Sequence, residues 1–345
     1  MDAQGLRNPV HPPHQPVSDP LLSVRRLSIG FDTDEGLLGA VDAVSFSIEP
    51  GRTLGLVGES GCGKSVTALS LMRLLPQPAG KILGGEIVFE GRNLLDLPPV
   101  EMQRIRGSRI GMVFQEPMTA LNPVHTIGRQ LSEVFLTHES VTKEEARRRS
   151  VAMLARVGLP SPEIRFSEFP HHLSGGMRQR VVIAMALACH PRLLIADEPT
   201  TALDVTIQAQ ILDLIRDLQS ELGMAVLLIT HDLGVIAEMC DDVAVMYAGR
   251  IAEQGPVADI FASPRHPYTR GLLASIPRLD SLRKSRLPVI DGMVPSLRNL
   301  PPGCRFQNRC PHREDRCASS APALEAVTPG HDAACFRWRE IAEQS

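Results

Sequence analysis

Aromatic residues are scarce in this 345-residue sequence: 4% in all, with a single Trp. That leaves few rings on which nucleic-acid bases could stack. Positive charge is not in excess either. Lys plus Arg number 36 against 39 Asp plus Glu, a net charge of −3, which argues against a protein held on nucleic acid by bulk charge. Long apolar runs are missing. The longest, Val181 to Cys189, has nine residues, about half of what a membrane span needs. The first residues carry neither a basic flank nor an apolar stretch, so no secretory signal is read there and a cytosolic protein is expected. Cysteines number seven, an odd count that in a cytosolic chain means reduced thiols. Cys62, Cys189 and Cys240 are scattered, whereas Cys304, Cys310, Cys317 and Cys335 crowd together near the C-terminus.

What is present is a soluble composition, 43% hydrophobic and 22% charged, in a chain long enough for about two domains. Residues 1–20 are Pro-rich and nearly devoid of apolar side chains, and read as a disordered leader. Leu21 to Phe31 and Val41 to Ile48 alternate apolar and polar, as half-buried strands do. Leu54 to Val57, Ile110 to Phe114, Leu193 to Ala196 and Ala225 to Thr230 are short, continuously apolar strands, the mark of a parallel sheet covered on both faces. Helical spacing is predicted over Lys64 to Leu75, Thr126 to Leu136, Lys143 to Val157, Ser174 to Cys189 and Val205 to Leu222. The alternation means α/β. Beyond residue 262 prolines break the chain into short pieces, so a boundary falls near 262–276 and little regular structure is expected after it.

Gly58-Glu59-Ser60-Gly61-Cys62-Gly63-Lys64-Ser65 fits G-x-x-x-x-G-K-[ST], after a predicted strand and opening a predicted helix that continues through Val66. Backbone N–H groups of such a loop wrap phosphates, Lys64 reaches the β/γ oxygens and Ser65 binds Mg²⁺. Cys62 fills a variable position; a thiol there is a small loop residue, or one whose pKa the helix N-terminus lowers. Asp197 and Glu198 end the strand Leu193 to Ala196. Asp197 suits the metal shell, and Glu198 suits polarising a water for attack on the γ-phosphate. Gln115 follows a second buried strand and suits the metal or the water, while His231 follows a third and would bond the γ-phosphate. Leu173-Ser174-Gly175-Gly176-Met177 opens a helix with free N–H groups, a second anion site that fits a nucleotide on another subunit.

These motifs, with Ala202-Leu203-Asp204, occur in an order and spacing that resembles an ATP-binding cassette (ABC) ATPase over residues 21–262. The resemblance implies a P-loop cassette with a RecA-like core, an antiparallel β subdomain and a helical subdomain at about 116–190. It implies a head-to-tail dimer with ATP and Mg²⁺ between the phosphate loop of one subunit and residues 173–177 of the other. Asp204 would link the two sites, and an aromatic residue before the phosphate loop, Phe31, would stack on adenine. Met177 stands where many relatives have Gln.

Ser263-Pro264-Arg265-His266-Pro267-Tyr268, continuing to Leu273, resembles the C-terminal extension of oligopeptide/dipeptide importer ATPases and assigns 263–345 to it. No chemistry is assigned to His266 or Tyr268. This implies an ATP-hydrolysing subunit at the cytoplasmic face of the membrane, docked through Glu116 to Val134 onto two permease subunits. It would pair with a second ATPase, a paralogue in preference to another copy of itself, in an importer of di- or oligopeptides or a related solute fed by an extracytoplasmic binding protein. A soluble ABC ATPase acting on ribosomes or DNA is the alternative; one cassette, no heptad run and negative charge argue against it. The cysteine spacing, C-x5-C-x6-C-x17-C, lacks the close pairs of zinc knuckles. Related extensions carry a [4Fe–4S] cluster, which Cys304, Cys310, Cys317 and Cys335 would hold; zinc and four plain thiols remain alternatives.

Overall fold

The structure, a computed structural model, describes residues 19–115, 120–201, 203–276 and 289–343. Strands β1 (Leu22–Thr33) and β2 (Gly36–Ile48) form a hairpin, pairing Thr33 with Gly36 and Leu22 with Ile48. With β4 (Gly80–Phe89) and the short β5 (Arg92–Asn93) they make an antiparallel sheet in the order β2-β1-β4-β5. Leu22 and Val24 are buried in alternation, and after a register shift at left-handed Arg26 the buried positions become Leu27 and Ile29.

The second sheet holds the core. Strands β3 (Thr53–Val57), β6 (Ile110–Val113), β7 (Leu193–Asp197) and β8 (Ala225–Ile229) are buried at every position and parallel, in the order β3-β8-β7-β6. β9 (Asp242–Tyr247) pairs parallel with β3, and β10 (Arg250–Pro256) returns antiparallel to β9. The crossover after β7 is the helix Val205–Leu222, which buries Ile211, Leu212, Ile215 and Leu218. A helical layer, Ile127–His138, Lys143–Arg156, Pro162–Ser167 and Gly175–Leu187, packs beside it. Thr126, Thr142 and Ser174 cap three of these helices, each accepting from the backbone N–H three residues on.

Some boundaries differ from the periodicity. The helix expected to reach Leu75 ends at Leu71, because Arg73 turns left-handed at φ 51°. The helix expected to reach Cys189 ends at Leu187, just before left-handed His190. The region after 262 carries more regular structure than its prolines predict. β12 (His331–Ala333) pairs with β10, and β11 (Glu325–Thr328) pairs with β12, so both extend the core sheet. Helices Pro267–Ala274, Asp315–Ser319 and Trp338–Ala342 complete it. Proline sits at the first position of the helix Pro267–Ala274, where no N–H is needed. No helix among the described residues is long and apolar enough to cross a membrane.

Candidate nucleotide site

The C-terminal ends of β3, β8, β7 and β6 lie side by side, and a parallel α/β sheet places its ligand crevice there. The turn after β3 is the loop 58–63, leading into the helix Lys64–Leu71. Gly58 has φ 151°, and a Cβ on it would lie 2.1 Å from the Met246 carbonyl oxygen, so only glycine fits. Lys64 Nζ donates to the Gly58 carbonyl at 2.8 Å and to the Glu59 carbonyl at 3.2 Å. Ser60 and Gly61 shape the exposed crown of the loop, and Gly63 ends it in the left-handed region. Val66 packs partly buried against the core.

Ser65 Oγ donates to Asp197 Oδ1 at 3.1 Å, joining β3 to β7. Burial raises the Asp197 pKa, the neighbouring Glu198 adds to this, and the Ser65 hydrogen bond opposes it. Glu198 is left-handed, φ 47°, with its N–H bonded to the Ile229 carbonyl at 2.9 Å. Its carboxylate gathers three groups: Gln115 Nε2 at 3.1 Å, Thr201 Oγ1 at 2.8 Å and His231 Nδ1 at 3.4 Å. A carboxylate held this way, at the rim of a phosphate loop, is placed to take a proton from water. Thr201 is absent from the sequence reading; its one signal is the three-residue spacing from Glu198.

Residues 173–177 bond among themselves and to their own helix: Ser174 Oγ accepts from the Met177 N–H at 3.3 Å. Among the described residues no hydrogen bond joins them to the loop 58–65 of the same chain. Gly175 and Gly176 lie against Leu203 and Ile207 of the following segment. Asp204 caps the helix Val205–Leu222, accepting from the Ile207 N–H at 3.0 Å. Phe31 sits in β1 between Leu38 and Gly80, half-buried against the core. Of the segment expected to meet a permease, residues 116–119 lie outside the described residues.

Of the two readings open at Cys62, the small loop residue holds. The helix N-terminus does not win there: the thiol is fully buried, and burial raises its pKa against the opposing pull of Lys64.

The chain matches the family described as ABC transporter over residues 41–201 and the oligopeptide/dipeptide transporter C-terminal region over 252–317. A probable peptide ABC transporter ATP-binding protein of Sinorhizobium fredii is 55% identical over 326 residues, 94% of this chain and 97% of the relative. The chain belongs to the ABC transporter ATPases. A dipeptide transport ATP-binding protein of Bacillus subtilis is 51% identical over 325 residues, covering 94% of this chain and 97% of that one. Among solved structures, a dimeric post-hydrolysis ATP-binding cassette bound to ADP and Pi superposes with TM-score 0.62 at 28% identity, over 68% of this chain and 98% of that one. The two sheets and helical layer described above are thus those of an ABC cassette.

This ABC ATPase also carries its C-terminal region against the nucleotide loop, which sequence reading missed. Tyr268 is fully buried, and its hydroxyl accepts from the Glu59 N–H at 2.9 Å. Arg309 reaches the Glu59 carboxylate with both Nη atoms, at 2.6 and 3.0 Å. The four clustered cysteines line one cavity of about 20 Å³ with His312 and Phe336. Gly303 lets their segments meet: the Cys304 N–H donates to the Cys317 carbonyl at 2.8 Å, and a Cβ on Gly303 would lie 2.2 Å from that carbonyl oxygen. Burial raises the thiol pKa of Cys304, of Cys310 to about 11 and of Cys335 to about 12. Among the described residues no three His, Cys, Asp or Glu side chains are placed to hold a metal ion.

Proposed function

We propose that this chain is the ATP-hydrolysing subunit that powers import of di- or oligopeptides through a membrane ABC transporter. The observation that carries the reading is the convergence of Lys64, Ser65, Asp197 and Glu198 at the C-terminal ends of β3 and β7, which flank β8, in a chain that also matches the oligopeptide/dipeptide C-terminal region. Lys64 and the loop amides bind the β- and γ-phosphates of ATP. Ser65, Asp197 and Gln115 would hold Mg²⁺; the 3.1 Å hydrogen bond between Ser65 and Asp197 supports this grouping. Mg²⁺ neutralises charge on the phosphate oxygens during transfer. Glu198 orients water and accepts its proton, with Gln115, Thr201 and His231 fixing the carboxylate. Phe31 stacks on adenine. Leu173, Ser174, Gly175, Gly176 and Met177 close over the ATP of a second ATPase subunit, a paralogue, with Asp204 between the two sites.

The relatives' names support peptide as the cargo. Two permease subunits hold the protein at the cytoplasmic face of the membrane, and an extracytoplasmic solute-binding protein delivers the peptide. Cys304, Cys310, Cys317 and Cys335 hold a [4Fe–4S] cluster. Their side chains line one cavity, which at about 20 Å³ has room for about one water, so the segments would have to part to admit the group.

Two measurements test the reading. Fractionation of cells with and without the permease should find the protein on membranes only when the permease is present; membrane binding without it would overturn the docking. Peptide uptake should stop with Lys64→Ala and leave the protein in place; unaffected uptake would overturn the function. Iron and acid-labile sulfide, about four of each per chain after anaerobic purification and lost with Cys304→Ser, test the cluster. Their absence removes it.

A further inference from the structure

We infer that Tyr268 and Arg309, both in the C-terminal region, are positioning residues for the ATP site and act through Glu59. The inference rests on the nucleotide reading of the loop 58–65 given above.

The phosphate-loop pattern leaves position 59 free, yet this chain fixes both ends of that residue. The C=O of Gly58 and the N–H of Glu59 belong to one planar trans peptide, so they point in opposite directions. The C=O accepts from Lys64 Nζ at 2.8 Å, and the N–H donates to Tyr268 Oη at 2.9 Å. Tyr268 therefore sets the plane of the peptide that steadies the Lys64 ammonium. At the other end, the Glu59 carboxylate is one negative charge beside a loop that must receive a triphosphate. Arg309 neutralises it through two parallel hydrogen bonds, the geometry in which a guanidinium binds a carboxylate most firmly.

Both residues are themselves held. The Arg309 side chain is 4% exposed and donates further to the carbonyls of Ile290 and Asp291. Tyr268 packs on Tyr247 and Phe306, with ring centroids 4.6 and 5.5 Å away. Its helix is started by His266, whose Nδ1 accepts from the Tyr268 N–H at 3.1 Å. The His266 N–H donates at 2.9 Å to Glu253 of β10, a fully buried carboxylate that also meets His331 of β12 at 2.7 Å. The grip on Glu59 is thus anchored in the core sheet.

The test is equilibrium binding of Mg-ATP to the purified full chain, together with KM and kcat in the assembled transporter. Tyr268→Phe removes one oxygen and should weaken ATP binding about threefold to tenfold, the worth of one hydrogen bond. Arg309→Met should weaken it about tenfold to a hundredfold, the worth of hydrogen bonds to a charged group, since it leaves a part-exposed carboxylate unpaired beside the phosphates. Arg309→Lys should fall between Arg309→Met and the parent. KM should rise while kcat stays within about threefold, because neither residue touches the reacting atoms. Glu59→Gln placed on Arg309→Met should recover most of the loss, by removing the orphaned charge. Should Arg309→Met fail to fold, Tyr268→Phe and Glu59→Gln carry the test. ATP affinity within twofold of the parent in Tyr268→Phe and Arg309→Met, or no rescue by Glu59→Gln, overturns the inference alone. A parent protein that does not bind Mg-ATP overturns the nucleotide reading with it.

Discussion

Replacing Glu198 by Gln isolates the proton-accepting role from the architecture around it. In the structure Glu198 Oε2 accepts from Gln115 Nε2 and Thr201 Oγ1, and Oε1 faces His231 Nδ1. A glutamine of the same shape keeps its amide oxygen at the Oε2 position and preserves both of those bonds. Its NH₂ then faces His231, which accepts with its neutral ring. The fold therefore loses at most about one hydrogen bond, roughly 1 kcal/mol. The chemistry loses much more. A positioned general base contributes about 10²- to 10⁴-fold, equivalent to about 3 to 5 kcal/mol of barrier. We expect phosphate release by Glu198→Gln, measured at saturating Mg-ATP in the assembled transporter, to fall by about that factor. ATP affinity and melting temperature should stay near the parent's. Turnover within threefold of the parent would refute the assignment and shift the base to another group.

Asp197 is charged where burial opposes charge, so its folded pKa lies above 3.8. Its protonation favours the folded state, and the stabilising effect present below pH 3.8 is lost as pH rises through the folded pKa. Asp197→Asn should raise the melting temperature of nucleotide-free protein at pH 7, with the gain vanishing near pH 3.8, and should abolish the further rise on adding Mg-ATP; an unchanged pH-7 melt contradicts this. His266 is buried and its pKa is lowered from 6.5 to about 4 by desolvation, with Glu253 opposing. The unfolded chain takes up this proton first, so stability is complete above pH 6.5 and is lost as pH falls from there toward about 4, by about 3 kcal/mol in all. His266→Asn keeps a capping oxygen for the Tyr268 N–H, and urea unfolding should show a flatter acid limb; an equally steep limb would assign the loss elsewhere. Gly303→Ala drives a methyl group into the Cys317 carbonyl; its urea midpoint should correspond to a loss of about 1 to 3 kcal/mol, and an unshifted midpoint would mean the turn relaxes freely.

The parts that sequence reading reached are those whose information is local. The phosphate loop is eight consecutive residues between a strand and a helix, and Asp197-Glu198 terminates a buried run, so spacing alone places them. Gly175–Leu187 and Val205–Leu222 carry their own caps in Ser174 and Asp204. What escaped is information that exists only after folding. Tyr268 and Arg309 meet Glu59 across 209 and 250 positions of chain, and nothing near any of the three announces the others. β11 and β12 have four and three residues, too few to show a period of two, and they are strands because β10 offers them an edge. β4 is broken by Gly80, Gly84 and Gly85, which weaken any strand signal, yet β1 pairs with it along most of its length. At Cys62 the sequence left a plain loop residue and an activated thiol both open, because proximity to a helix start is visible in sequence and burial, which decides for the plain residue, is not.

The pairing of β12 with β10 has a consequence for synthesis. Until residues 331–333 are made, β10 presents a bare row of backbone donors and acceptors on one side of the core sheet. At roughly 5–20 residues per second, the ribosome takes several seconds to add the intervening stretch. During that interval two nascent chains on one message could join edge to edge. The last strands thus move the open edge from the seven-residue β10 to the four-residue β11, which offers a neighbour less to pair with, so the hazard shrinks only when the C-terminal region has emerged.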